Sequence, residues 1–131
     1  MKKLSVSFVL VLVACLAVAA APAVAKKPHY RVTVSINFAH GTDKDDFSGR
    51  VKSKKHKCMS HRVVRLKRKR RGPDTVVAKD RSNRNGDWHI AIPYPGAKPG
   101  GYYAKVKRKE TKNFVCKRAR SSVLFVPKTP D

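Results

Sequence analysis

Between residues 31 and 38 the chain alternates without a break: Val32, Val34, Ile36 and Phe38 fall on one parity, and Arg31, Thr33, Ser35 and Asn37 on the other. Only an extended strand, whose side chains point to opposite faces in turn, puts all four apolar groups on one side. Weaker alternation returns at residues 47–53, 63–69, 75–79, 88–92, 102–109 and 122–126. Turn chemistry separates these segments, with Gly41-Thr42-Asp43, Gly72-Pro73-Asp74, Asn83-Arg84-Asn85-Gly86 and the Pro- and Gly-rich stretch from Pro93 to Gly101. No window sustains a 3.6-residue period, so the expected helix content is close to nil. Seven short strands at this spacing predict an all-β fold, a single sandwich of two sheets. The expected inward residues are Trp88, Phe38, Phe47, Ile36, Ile90, Ile92, Val64, Leu66 and Val106, with Val123 or Leu124. A domain of about 100 residues hides only about 60–68% of its surface, so a core this small calls for further support.

The first 25 residues do not belong to that pattern. Met1-Lys2-Lys3 is a short positive stretch, residues 4–19 are apolar, and Ala23-Val24-Ala25 offers the small side chains that a signal peptidase holds in shallow pockets. Pro22 ends the apolar run ahead of that point. The expectation is a signal peptide over 1–25, cut after Ala25 or after Ala23, and a basic β-sandwich domain over 26–131. Two rival readings stay open. Leu12-Val13-Ala14-Cys15 resembles a bacterial lipobox, which would attach lipid at Cys15, and residues 4–25 are long enough for an uncleaved anchor. A lipobox is usually followed by polar residues, whereas residues 16–25 stay apolar. All three readings carry the basic domain out of the cytoplasm, to a secreted or extracellular location that includes the cell surface.

Charge is the second constraint. The 131 residues include 31 Lys or Arg and 8 Asp or Glu, a formal net charge of +23. Without Lys2 and Lys3, 29 basic and 8 acidic residues leave +21 over residues 26–131. The length excludes a multidomain enzyme, a multispanning membrane protein and a long coiled coil. The cations form period-2 stripes: Arg50, Lys52 and Lys54; Arg65, Lys67 and Lys69; Lys105, Lys107 and Lys109. Each stripe lies opposite an apolar parity and should face solvent. Residues 66–71, read LKRKRR, add the densest run. Such a field attracts polyanions with an affinity that falls as salt rises. The expected binding residues are Arg65, Lys67, Lys69, Lys105 and Lys107, and Tyr103, on the parity of Lys105, could stack on a base or a sugar. For an exported monomer the partners in reach are anionic polymers of the cell envelope or extracellular matrix, anionic lipid and extracellular DNA. No specific nucleic-acid sequence, small-molecule substrate or cofactor is expected. A structural or interaction domain whose basic coat serves solubility and edge protection is the competing reading.

Two cysteines remain after a cut at Ala25, and in an exported domain Cys58 and Cys116 read as one disulfide. The chain-entropy treatment gives a loop of this length roughly 4 kcal/mol of stabilisation. His56, Cys58, His61 and Cys116 could instead ligate zinc, although their spacing matches no standard finger and an oxidising compartment favours the disulfide. Catalysis has little to stand on. Acid–base work usually needs paired carboxylates or a His oriented by one, yet Glu110 is the sole Glu and the Asp residues cluster in turns. His89 falls on the outward parity beside Trp88 and Ile90. Asp43, Asp45 and Asp46 form an acidic cluster without the full ligand spacing of a calcium loop, and no phosphate loop or nucleophile elbow is present. A small hydrolase is therefore the least supported of the three function classes.

Several segments together resemble a known family. Phe47-Ser48-Gly49-Arg50-Val51, Val63-Val64-Arg65-Leu66, Ala78-Lys79-Asp80 leading to Asn85-Gly86-Asp87-Trp88-His89-Ile90, and Gly101-Tyr102-Tyr103-Ala104-Lys105-Val106 are similar in order to the carboxypeptidase regulatory-like domains. The likeness covers about residues 46–126, and Lys79-Asp80 stands where that family usually has Thr-Asp. It implies a transthyretin-like or immunoglobulin-like sandwich acting as a non-catalytic accessory, adhesive or structural module. It supplies no catalytic residue to carry over.

Overall fold

The computed structural model of the protein describes residues 25–129. The expected signal peptide up to residue 24, with Cys15 and Ala23, lies outside the described residues, and Ala25 opens the described chain as exposed coil. Twelve short strands and one 3-10 turn follow, with no α-helix among the described residues.

The first sheet is built on β4 (Lys44–Ser53), with β7 (Asp87–Pro93) along one edge and β2 (Val32–Val34) and β3 (Asn37–His40) along the other. The expected strand over residues 31–38 is thus two strands. Both pieces keep one register on β4, with Val34 opposite Val51 and Asn37 opposite Ser48. The interruption has a cross-strand cause. The Ser35 N–H donates to the Arg50 carbonyl at 3.0 Å, and the Ser35 hydroxyl accepts the Arg50 N–H at 2.9 Å. A side chain therefore stands in for one rung of the ladder. Gly49 permits the close approach, since a Cβ there would lie 1.9 Å from the Ser35 carbonyl oxygen.

The second sheet runs β6 (Thr75–Arg81), β5 (Val63–Arg68), β8 (Gly100–Val106), with β11 (Ala119–Arg120) and β12 (Leu124–Val126) both on the far edge of β8. The pairing of β5 with β6 shifts register after Leu66, where Val77 is the extra residue. The expected strand over residues 102–109 ends at Val106, which breaks the predicted stripe of Lys105, Lys107 and Lys109. The Arg62 guanidinium donates to the Lys107 carbonyl, a group that a continuing strand would give to its neighbour. Lys109 instead belongs to β9 (Lys109–Glu110), in a small third sheet with β10 (Val115–Cys116) and β1 (His29–Tyr30), where β1 and β10 run parallel.

The two main sheets face one another across a shared core. Phe47, Val51, Trp88 and Ile90 from the first sheet meet Val64, Leu66, Tyr102, Ala104 and Val106 from the second. Phe47 bridges the layers, its ring 5.0 Å from that of Tyr102 and 5.0 Å from that of Phe38. Full burial of a side chain such as Phe47 or Leu66 stabilises the fold by about 1.5–3 kcal/mol. Ile36, Phe38, Ile92 and Leu124, expected inside, are partly buried, and Val123 is intermediate. Tyr102 is core although the alternation alone did not single it out. Its hydroxyl, at the end of the core, donates to the Lys98 carbonyl.

Cys58, in the 3-10 turn His56–Cys58, is joined to Cys116 of β10, with 5.3 Å between the Cα atoms. Both are fully buried. The bond pins the third sheet to the chain just ahead of β5 and takes both thiols that zinc would need.

Candidate anion-binding face

Register brings the basic residues together on the outer side of the second sheet. On β5, Val64 and Leu66 point inward, so Arg65 and Lys67 point outward. Arg65 lies directly opposite Lys79 of β6 on one side and Lys105 of β8 on the other, and Lys105 lies opposite Arg120 of β11. Lys79, Arg65, Lys105 and Arg120 thus form one unbroken row across four strands, neighbours being about 4.8 Å apart in the hydrogen-bonding direction. Lys67 flanks the row on one side, with Arg81 and Lys107 on the other.

Of the residues expected to bind, Arg65, Lys67 and Lys105 lie on this face and Lys107 borders it just past the end of β8. Lys69 follows the end of β5 and is exposed at the hairpin, where Arg70 and Arg71 continue the positive run. Lys79, Arg81 and Arg120 are further members that the stripes did not reveal. Arg50, Lys52 and Lys54 belong to the first sheet or the segment after it, and Arg50 is paired with Asp87 at 2.6 Å.

Tyr103 is not the free stacking platform that its parity suggested. It is 3% exposed, the Arg120 guanidinium sits 3.9 Å over its ring, and its hydroxyl donates to Asp74 at 2.6 Å. Burial, then this hydrogen bond, pushes the Tyr103 phenol above its ordinary pKa. The same bond, helped by the Arg70 N–H and by Lys69 and Lys67, holds the Asp74 carboxyl below the usual range. Tyr103 thereby fixes Arg120 in the row rather than offering a ring to a ligand. The large exposed aromatic on this face is Phe125, 77% exposed, paired opposite Gly101.

Asp74 is the acid on this face, held by Tyr103 near Lys67 and Lys69, and the ion-paired acids lie elsewhere. Among the described residues the ion pairs join Lys27 and Arg108 to Glu110, Arg50 to Asp87, His40 to Asp45 and His89 to Asp46. None involves a cation of the row. Asp45 and Asp46, expected in one acidic loop, lie on β4 and point to opposite sides of the sheet, so they cannot converge on calcium with Asp43. Burial pushes the Asp45 carboxyl up, but the Ala97 N–H and His40 outweigh it and hold it below the carboxylate range. Asp46 meets the exposed His89 ring at 2.7 Å on the outer face of the first sheet. That face is mixed in sign, carrying Asp46 and Asp87 beside Arg50 and Lys52, whereas the outer face of the second sheet is positive throughout its central row.

No family model matches the chain, and no curated protein or solved structure does.

Proposed function

We propose that the chain is a secreted, non-catalytic β-sandwich module that holds anionic polymers of the cell envelope or extracellular matrix on the outer face of its second sheet. One observation carries this reading: the row Lys79, Arg65, Lys105 and Arg120 has like charges directly opposite one another, and among the described residues none of the four is in an ion pair. Such a row opposes folding, and an external polyanion relieves it. Tyr103 being covered, binding along this row goes through charge and polymer backbone rather than through stacking, with little chemical selectivity between chains.

Against the expectation that no His is oriented by a carboxylate, His40 is bonded to Asp45 at 2.6 Å and His89 to Asp46 at 2.7 Å. Both pairs lie on the first sheet, and the reading places binding on the second. An extracellular site fits the Cys58–Cys116 disulfide. A transthyretin-like arrangement fits as well, since the segments that resemble carboxypeptidase regulatory-like domains fall on β4, β5, the passage from β6 to β7, and β8. Binding to DNA and to an acidic glycan, measured from about 50 mM salt upward, tests the proposal, with log affinity expected to fall linearly against log salt. Absence of binding at the low end, or binding insensitive to salt, leaves the cations as a solubility coat.

A further inference from the structure

At the end of the second sheet nearest the disulfide, the outer face dips. Val63 has Arg81 opposite it on β6, Arg65 two residues along its own strand, and Lys107 on the β8 side, next after the Val106 that pairs with Val64. These residues, with His61, Arg62 and Lys109, line a concavity of about 310 Å³. Three separate chain segments therefore bring cations around one small apolar side chain.

Beside this notch lies a charge that the fold leaves uncompensated. Arg62 is 4% exposed, and its guanidinium donates to the carbonyls of Cys58 and Lys107 but to no carboxylate among the described residues. A buried cation held only by carbonyl dipoles has lost its hydration without gaining a counter-ion. The rim is held in a strained form: His61 has φ 53°, its N–H donates to the Ser82 carbonyl, and its own carbonyl accepts from the Arg81 guanidinium. A left-handed backbone at a residue other than glycine persists where the surroundings over-determine it.

We propose that this notch is a discrete site for a tetrahedral oxyanion, a sulfate or phosphate group, bound by Arg65, Arg81, Lys107 and Lys109 beside the buried charge of Arg62. The inference rests on the polymer reading only for the carrier of that group. A guanidinium fork can meet either a carboxylate or a phosphate, but a carboxylate presents only two oxygens, in one plane. A tetrahedral group presents oxygens in several directions and uses cations converging from β5, β6 and the segment after β8 together. The site thus selects sulfated or phosphorylated chains over carboxylated ones, where the central row does not discriminate.

The test titrates inorganic sulfate and inorganic phosphate into the protein at constant ionic strength, with chloride as the balancing salt, and follows the amide resonances of Val63 and Lys107. Saturable one-to-one shifts with the oxyanions and none with chloride are expected. Arg81→Gln and Lys107→Gln should each weaken binding about tenfold, the loss of one charge-assisted contact, while Lys98→Gln at the opposite end of β8 leaves it unchanged. Dextran sulfate should bind more tightly than polygalacturonate, and Arg81→Gln should remove the difference. Identical shifts with sulfate and chloride, or oxyanion binding untouched by both notch variants, overturn the site. Salt-sensitive binding of both polymers with equal affinity also overturns the site and leaves the polymer reading standing. Saturable sulfate binding with neither polymer retained does the reverse.

Discussion

Neutralising the middle of the basic row should move stability and binding in opposite directions. Arg65 and Lys105 are the two inner members, so replacing both by Gln removes every directly opposed like-charge pair in the row and leaves only Lys79 and Arg120 at its ends. A cross-strand pair is worth about 0.2–1 kcal/mol, and solvent reduces this for partly exposed groups. With three such pairs removed, folding stability should rise by roughly 1 kcal/mol. For a domain near 100 residues that raises Tm by about 4–8 °C. The same double variant loses two polymer contacts. Counterion release contributes about 0.7 per contact on single-stranded DNA and about 0.9 on duplex, so the salt slope should become shallower by about 1.4 and 1.8 respectively. Calorimetry at low salt gives the first quantity, and fluorescence anisotropy across a salt series gives the second. A lower Tm would show that the row is not under repulsive load. A higher Tm with an unchanged slope would show that the row repels itself and binds nothing.

Three further outcomes follow from the packing. Replacing both Cys58 and Cys116 by Ala should cost about 4 kcal/mol of stability in denaturant unfolding, because the 58-residue separation leaves a long unconstrained loop; a loss below about 1 kcal/mol would mean that the third sheet holds itself. Gly49→Ala sets a methyl 1.9 Å from the Ser35 carbonyl oxygen and 2.8 Å from the Trp88 Nε1, and should destabilise by about 3 kcal/mol or more, whereas Gly72→Ala, with open space around it, should stay within about 0.5 kcal/mol. Tyr102 and Tyr103 should ionise above the ordinary tyrosine value of 10.0, read from tyrosinate absorbance. Because these folded values are raised, the stabilisation is complete below 10.0 and is lost as pH climbs through them. Asp74→Asn should bring the Tyr103 midpoint down, and an unmoved midpoint would remove the Tyr103–Asp74 bond from the account.

What could be read in advance was what depends on neighbours in the chain. Alternation located β4, β5, β7 and β8 because each presents an apolar parity to the shared core. It could not locate the break at Ser35, which arises from an exchange of hydrogen bonds with Arg50 on another strand. Nor could it end β8 at Val106, a stop tied to the buried Arg62 guanidinium. The site was legible to the same degree. Arg65, Lys67 and Lys105 show their period within their own strands, but the row exists only through register. Lys79 and Arg81 share one parity on β6, a signal present in the sequence, whereas Arg120 sits on a two-residue strand too short to show any. The covering of Tyr103 required Asp74 and Arg120 from either side, and no local pattern reports that.

The unlike outer faces of the two sheets have a consequence for how the molecule travels. Layers packed about 10 Å apart, one positive and the other mixed, give the domain an electric dipole along the sheet normal. Near a polyanionic surface the field turns the domain before contact, so the second sheet leads and the rotational search shortens. Arrival and orientation become one event. The first sheet, with its Asp46–His89 and Asp87–Arg50 pairs, is then left facing the medium.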